Sequence, residues 1–594
     1  MAALCSVSSL WAQENVQGIT QCGTPTGQPA FPVKEFTELP DPKPFPAEDW
    51  KGVKGTLAAW GTTDVRYAKH EVPVRVQKGT TAVLHGWKGE KVHTQAVVWT
   101  GVPVQDLQLE VTPFRNGNYT FPAGAVQAHF ERYVMTDQLN LDGKGGCGHR
   151  PDHSLYDSLL VADAIDHLLP SMELPAQTTE PVWVSCFIPV DAPAGTYAGK
   201  LKVKDGEKVL KELQLSVVVN KRMLPAPHDW AFHLDLWQNP YAVARYYQVP
   251  VWSEEHLDAM QPIMQRLADA GQKAITVSIQ HKPWEGQTED YFESMVTWIK
   301  KLNGQWAFDY QVFDRWVEFM MRLGIDEQIS CFSMVPWGMN FQYFDQRTNQ
   351  MQTVHCEPGS FEYDEMWTAM LRSFAKHLKE RGWFSRCVIA MDERPKDVML
   401  KVLDIIRSAD PGFKVSLAGN YYPELSDALY DYCITIGQHF PEEVKAKRDA
   451  EGKVSTLYTC CTEPWPNTFT FSDPAEAAWI GFFVAKQKVD GYLRWAYNSW
   501  PLEPLLDSRF RSWAAGDTYL VYPGDRTSIR FERLLEGIQN WEKIQLLKEE
   551  FAAAGKKKEL KQIEDMLQAF DLQAIPNVPA ETMVNKAEQL LNKF

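Results

Sequence analysis

From about residue 28 to residue 225, hydrophobic and polar positions alternate in short runs: VPVRV (72–76), AVVW (96–99), LQLEV (107–111), VWVSCFIPV (182–190), KLKVK (200–204) and LQLSVVV (213–219). A period of two puts every second side chain on one face of a strand. Turn-forming NGN and DG steps separate the runs, and repeated short strands without intervening helices predict a sandwich, here over 23–225. Within it, 137–153 (DQLNLDGKGGCGHRPDH) reads as a long polar, Gly-rich loop. The two prolines of KRMLPAPHD (221–229) mark a linker, and beyond it the pattern changes.

From Trp230 onward, compact apolar runs alternate with stretches of helical period. Eight such runs occur: FHLDLW (232–237), AITVSI (274–279), ISCFSMV (329–335), CVIAM (387–391), KVSLA (414–418), YCITI (432–436), TLYTCC (456–461) and GYLRWAY (491–497). Eight strand–helix units are the content of a (β/α)8 barrel, expected over 226–527. Met366, Met370, Phe374 and Leu378 recur every four residues before Gly382, a natural helix C-cap. Asp473, Pro474 and Glu476 form an N-cap, a first-turn proline and a capping-box acid. The second unit is enlarged by a Trp-rich insertion, with a helix over 312–323. A long amphipathic helix over 529–551 and two shorter ones fill a C-terminal helical region, 528–594. The fold class is therefore multidomain: an N-terminal all-β sandwich, a (β/α)8 TIM-like barrel and C-terminal helices.

The fourth barrel run carries the densest chemistry. In CVIAMDERP (387–395) an apolar strand runs into Asp392, Glu393 and Arg394 just before Pro395, which disfavours helix at the residue preceding it. Both acids thus fall where a parallel strand ends, the face on which barrels carry function. An acid pair there is a candidate for proton transfer, weighed against a surface loop whose carboxylates pair with Arg394 or Lys396.

Composition narrows the partner. The formal net charge of −16 and the absence of a basic stripe argue against nucleic acid. The chain holds 22 Trp, 21 Tyr and 29 Phe; flat rings with a polar edge suit the faces of sugars. The ten cysteines show no C-x-x-C or Cys/His ligand spacing, which argues against a structural zinc, and the chemistry of paired carboxyls calls for neither a metal nor an organic cofactor. No apolar run reaches 18 residues, which excludes a membrane-spanning helix. The opening MAALCSVSSLWAQEN resembles the back half of a bacterial signal peptide, making 1–22 a leader remnant and export, to the periplasm or outer surface, the expected destination.

The residues after the other barrel runs continue the theme. Asp235, Trp237 and Tyr241 follow the first, Pro336 and Trp337 the third, and Asn420, Tyr421 and Tyr422 the fifth. Gln438 and His439 follow the sixth, Glu463 and Trp465 the seventh, and Trp495, Tyr497, Asn498 and Trp500 the eighth. Acids ringed by Trp and Tyr are what a sugar-cleaving pocket requires. Trp337, Tyr421, Trp465, Trp495, Tyr497, Asn498, Trp500, Asp235 and His439 are the candidate substrate-binding residues.

A sandwich followed by a barrel with DE at the end of strand four, then WAYNSWP (495–501), GDTYLVYPG (516–524) and SIRFERLLEGIQNWE (528–542), resembles glycoside hydrolase family 123 from about Ala30 to Leu547. The resemblance implies an exo-acting β-N-acetylgalactosaminidase that releases terminal GalNAc from glycans, with glycosphingolipid head groups among the candidates. It also implies substrate assistance: the 2-acetamido oxygen attacks C1, Asp392 orients the acetamide as an anion, and Glu393 protonates the leaving oxygen and then activates water. A Tyr hydroxyl, from Tyr421 or Tyr497, bonds the acetamide oxygen. The chemistry agrees, because adjacent acids on one strand end are poorly placed to flank a sugar ring about 5 Å apart as a retaining pair does. Three alternatives stay open: a β-N-acetylglucosaminidase using the same pair, a conventional glycosidase with Glu463 or Asp235 as second carboxylate, and a non-catalytic glycan-binding protein. Oligomeric state has no signature.

Overall fold

The computed structural model describes residues 37–141, 158–511 and 513–594. The leader expected over 1–22 and residues 142–153 of the Gly-rich loop lie outside them. The described chain forms two compact units.

The first unit holds the β-rich segment up to Phe232 together with Cys460–Lys488 and Glu503–Phe594. Thr56–Trp60, Lys91–Thr100, Thr178–Phe187, Val126–Thr136 and Leu159–Asp166 lie side by side in one sheet, to which the two-residue strand Thr527–Ser528 is added. Thr81–Lys88, Lys208–Met223, Gly195–Asp205, Val104–Val111 and Ser171–Leu174 make the second. Their facing side chains, including Trp60, Val98, Phe130 and Val184 from one sheet and Leu107, Val203, Leu215 and Tyr197 from the other, form a continuous core. Trp60 bridges the layers by donating its indole N–H to the Gln214 carbonyl at 2.9 Å. The expected strand at 72–76 is irregular chain: Pro73 has no N–H to give a ladder, and Val74 is 91% exposed.

The second unit, His233–Thr459 with Val489–Leu502, is the barrel. Its strands are β1 His233–Leu236, β2 Ala274–Ser278, β3 Gln328–Phe332, β4 Cys387–Asp392, β5 Lys414–Gly419, β6 Asp431–Thr435, β7 Val454–Tyr458 and β8 Gly491–Arg494. Each of the eight expected runs overlaps one. Neighbours pair in parallel from β2 through β8 and on to β1. The ring is nearly closed by one bridge, Leu234 with Gln272. The helices are α1 Pro240–Tyr247, α2 Glu254–Ala268, α3 Gln311–Arg322, α4 Phe361–Arg381, α5 Lys396–Ala409 and α6 Glu442–Ala450; between β5 and β6 the described chain makes only the 3-10 turn Pro423–Leu425. Gly382 ends α4 with φ +73°, a conformation glycine adopts without strain. The insertion after β2 supplies strands Thr297–Lys300 and Trp306–Asp309, which join Asn340–Asp345 and Gln350–His355 in a small four-stranded sheet.

Where a barrel running unbroken over 226–527 was expected, the helix after β7, α7 (Pro474–Gln487), belongs to the first unit. Its residues 474–485 are all buried, so it has no solvent face. It crosses α8 (Ile529–Ala553) at Gly481 and Gly537, where a Cβ on Gly481 would stand 2.1 Å from the Gly537 carbonyl oxygen. The capping box of Asp473 and Glu476 opens α7 as expected. Among the described residues no helix is long and apolar enough to cross a membrane.

Candidate active site

β4 is buried from Cys387 to Met391, and Asp392 stands half-buried at its end. The next residue, Glu393, is exposed and adopts φ +49°, a left-handed backbone that costs an L-residue about 1 kcal/mol or more. It is held there by its N–H, which donates to the Ala418 carbonyl of β5 at 2.7 Å and carries the ladder past the Asp392–Ala418 pair. Gly419 makes the room: a Cβ there would lie 3.3 Å from the Glu393 Cα. The backbone of β5 thus sets where the second carboxylate starts.

Each acid has its own donor. The indole N–H of Trp337, in the loop after β3, donates to Asp392 Oδ2 at 3.3 Å. The Tyr458 hydroxyl, at the end of β7, donates to Glu393 Oε1 at 2.9 Å. Arg394 braces the corner, its Nε donating to the Asp392 carbonyl at 2.7 Å and its guanidinium lying 4.8 Å from the Trp337 ring centre. Withdrawal from water and then the neighbouring Glu393 charge push the Asp392 carboxyl up to about 7, against the pull of Arg394, Trp337 and Trp284. In the free protein Asp392 therefore holds a proton more readily than an ordinary aspartate. Behind it lies an aromatic wall in which Trp237 and Trp284 stack with centres 4.9 Å apart and Phe332 sits 4.6 Å and 5.0 Å from them.

Trp337, 40% exposed and bonded to Asp392, stands at the acids. Several other expected binders are committed elsewhere. The Tyr497 hydroxyl donates to the Ile263 carbonyl at 2.8 Å in a fully buried setting, so it has no hydroxyl to offer a sugar. Asn498 is buried and exchanges both its amide atoms with the Asn239 backbone at 2.9 Å, and buried Trp500 packs on Tyr246 at 5.5 Å; both are structural. Asp235, only 3% exposed, faces Asp431 and Gln272 inside the barrel, and burial with the Asp431 charge pushes it up to about 8. Tyr421 is half-buried against Tyr432 and Phe440, and its hydroxyl accepts from Ser426 Oγ at 3.4 Å. Trp495 is half-buried after β8, and His439 is exposed after β6. Trp465 and Glu463 belong to the first unit. There Trp465 is half-buried, and Glu463 closes its own loop by accepting from the Cys460 N–H and the Thr462 hydroxyl, each at 2.8 Å.

Two residues at the acids escaped the sequence reading. Tyr458 sits inside an apolar run, where the signal was its two-residue spacing from Thr456, which puts both on one strand face. Trp284 lies in the insertion after β2, where periodicity says nothing of direction. Among the described residues no three His, Cys, Asp or Glu side chains converge on a metal position.

The family model of the glycoside hydrolase 123 catalytic domain matches residues 237–547, and that of the glycoside hydrolase 123 N-terminal domain matches 60–205. No curated protein sequence matches. Among solved structures, a family 123 glycoside hydrolase from Clostridium perfringens, described for glycolipid glycan hydrolysis, aligns with TM-score 0.79 and 26% identity, covering 91% of this chain and 98% of that one. A family 39 glycoside hydrolase from Bacteroides cellulosilyticus aligns with TM-score 0.32 and 11% identity over 73% of this chain and 80% of that one, too distant to add to the comparison. With its acid pair at the end of β4 and over half its length matched by the catalytic-domain model, the chain belongs to glycoside hydrolase family 123.

Proposed function

We propose that this glycoside hydrolase is an exported, exo-acting β-N-acetylgalactosaminidase that works with retention through its substrate's own acetamide. The observation that carries the reading is that the two carboxyls come from consecutive residues of one strand end, each with a separate hydrogen-bond donor. Such a pair does not flank a sugar ring, but it can serve a reaction in which the substrate supplies the nucleophile. The acetamide oxygen bonds to C1 as the C1–O glycosidic bond breaks, and Glu393 passes its proton to the departing oxygen. Asp392 accepts the acetamide N–H and offsets the positive charge of the oxazolinium. Water then adds to C1, giving its proton to Glu393, and the ring reopens to the free N-acetyl sugar.

The proton inventory fits. With Asp392 raised to about 7, the pair retains a proton at neutral and mildly acidic pH. An acetamide N–H donated to Asp392 favours its anion and leaves that proton for Glu393. Tyr458 replaces Tyr421 and Tyr497 as the hydroxyl proposed to bond the acetamide oxygen. Glycolipid head groups are the proposed substrates, since the Clostridium perfringens relative is described for glycolipid glycan hydrolysis. Cys461 is disulfide-bonded, which suits an oxidising compartment and supports export.

Hydrolysis of aryl β-glycosides of GalNAc, GlcNAc and galactose by wild type, Asp392→Asn and Glu393→Gln tests the reading. Expected is cleavage of the GalNAc compound, strong loss in both variants and inhibition by a thiazoline mimic of the intermediate. Turnover of the plain galactoside would sink substrate assistance. Preference for the GlcNAc compound would move the specificity to its 4-epimer.

A further inference from the structure

The two acids are served by donors of different kinds. Asp392 meets indole N–H groups, which only donate, whereas Glu393 meets a tyrosine hydroxyl, which both donates and accepts. A donor-only neighbour stabilises a carboxylate over a carboxylic acid, while a hydroxyl tolerates either. The surroundings therefore distinguish two residues that the chain places side by side.

Trp337 is one of these indoles, and the second is Trp284. Its ring is 5% exposed and locked between Trp237, Phe332 and Phe292, with centres 4.9, 5.0 and 4.7 Å away, so its N–H direction is set by packing. That N–H favours the Asp392 anion, yet in the free protein it makes no hydrogen bond of ordinary geometry. A buried donor without a partner is rare and destabilising. The two indoles are also mechanically joined. The Trp337 backbone N–H donates to the Pro283 carbonyl at 3.0 Å, and a Cβ on Gly338 would stand 2.0 Å from Glu285 Oε1, so the loops after β2 and β3 touch on both sides of Trp284.

Resting on Asp392 and Glu393 as the reacting pair, we propose that Trp284 is a positioning residue. Its unpartnered N–H and that of Trp337 form a two-indole clamp that closes on Asp392 when it becomes the anion, so directing the shared proton to Glu393. The charged and titratable groups facing Asp392 are Glu393 and Arg394 from its own strand end and the Cys433 thiol from β6. None of them is donor-only and neutral, as the clamp is. The neighbouring Trp237 N–H is likewise unpartnered, but it serves Asp235 deeper in the barrel and so provides an internal control.

The test uses Trp284→Phe, which keeps a ring in the stack and deletes the N–H, with Trp284→Tyr as a second ring-preserving variant and Trp237→Phe as control. In the full-length protein without substrate, the Trp337 indole 1H–15N resonance is followed against pH. Wild type should show an inflection near 7 that Asp392→Asn abolishes. Removing a donor from the anion raises its pKa, so both Trp284 variants should move the inflection up by about 0.5–1 pH unit. The high-pH limb of aryl GalNAc hydrolysis should move with it, with kcat lowered about tenfold, KM little changed, and Trp237→Phe at the wild-type position. An inflection that stays in place in the Trp284 variants, or moves equally in Trp237→Phe, overturns the clamp. A protein that titrates as described but cleaves no N-acetylhexosaminide supports the clamp and sinks the proposed reaction instead.

Discussion

The Tyr458 hydroxyl donates to Glu393 Oε1 across 2.9 Å, joining the end of β7 to the residue after β4. In the proposed reaction this hydroxyl holds Glu393 until substrate arrives and then serves the acetamide. Tyr458→Phe leaves the ring and removes the bond. Hydrogen bonds to charged groups contribute about 1.5–3 kcal/mol, so kcat/KM should fall roughly 10- to 100-fold with little change in thermal unfolding. Aryl glycoside kinetics beside a melting curve check it.

The pH profile follows from the Asp392 carboxyl, raised to about 7. The reaction needs one proton on the pair for the leaving oxygen and one charge for the acetamide. Raising the pH through about 7 removes that proton, so kcat/KM should decline above it, and acidification that doubly protonates the pair should lower it at the other end. A kcat/KM profile still rising at pH 8 would contradict this. In Asp392→Asn the limb near 7 should vanish from the residual rate.

Gly419 is where β5 makes way for Glu393. A methyl at 3.3 Å from the Glu393 Cα is closer than carbon atoms ordinarily pack, and Glu393 already sits in a strained left-handed backbone. Gly419→Ala should displace Glu393 and lower kcat by about tenfold or more, since small misplacements of a reacting group are costly. Circular dichroism should show the fold intact.

Asp163 is the corresponding test of stability in the first unit. Fully buried, it accepts from Arg66 at 2.9 Å, from Arg530 at 3.0 Å and from the Tyr522 hydroxyl at 2.6 Å. Asp163→Ala leaves two buried guanidinium groups without their counter-charge, a loss of about 3–5 kcal/mol. Denaturant unfolding should show a much lower midpoint, whereas Lys561→Ala, which breaks an exposed pair with Asp565, should leave it within about 1 kcal/mol.

Much of this protein is legible in its local pattern. The eight apolar runs and the acids at the end of β4 depend on residues within a few positions of one another, and strand period, strand termination before Pro395 and the Asp473–Glu476 capping box are decided at that range. What the chain pattern left open is decided by groups far apart in sequence. Tyr458 lies 65 residues from Glu393 and Trp337 lies 55 from Asp392, so their bonds exist only once the barrel has brought the strand ends together. Tyr497 and Asn498 follow β8 as a sugar-binding pair would, yet their polar atoms are taken by the Ile263 and Asn239 backbones, which only the closed ring supplies. The helix α7 is buried on every side, so no amphipathic stripe in its sequence points to a partner, and its crossing with α8 at Gly481 and Gly537 assigns it to the first unit. The sequence by itself determined the eight barrel strands and the acid pair, because these follow from neighbouring residues. The tertiary structure alone decided which donors meet each acid and which polar side chains are already spent, because those depend on where distant backbone groups come to rest.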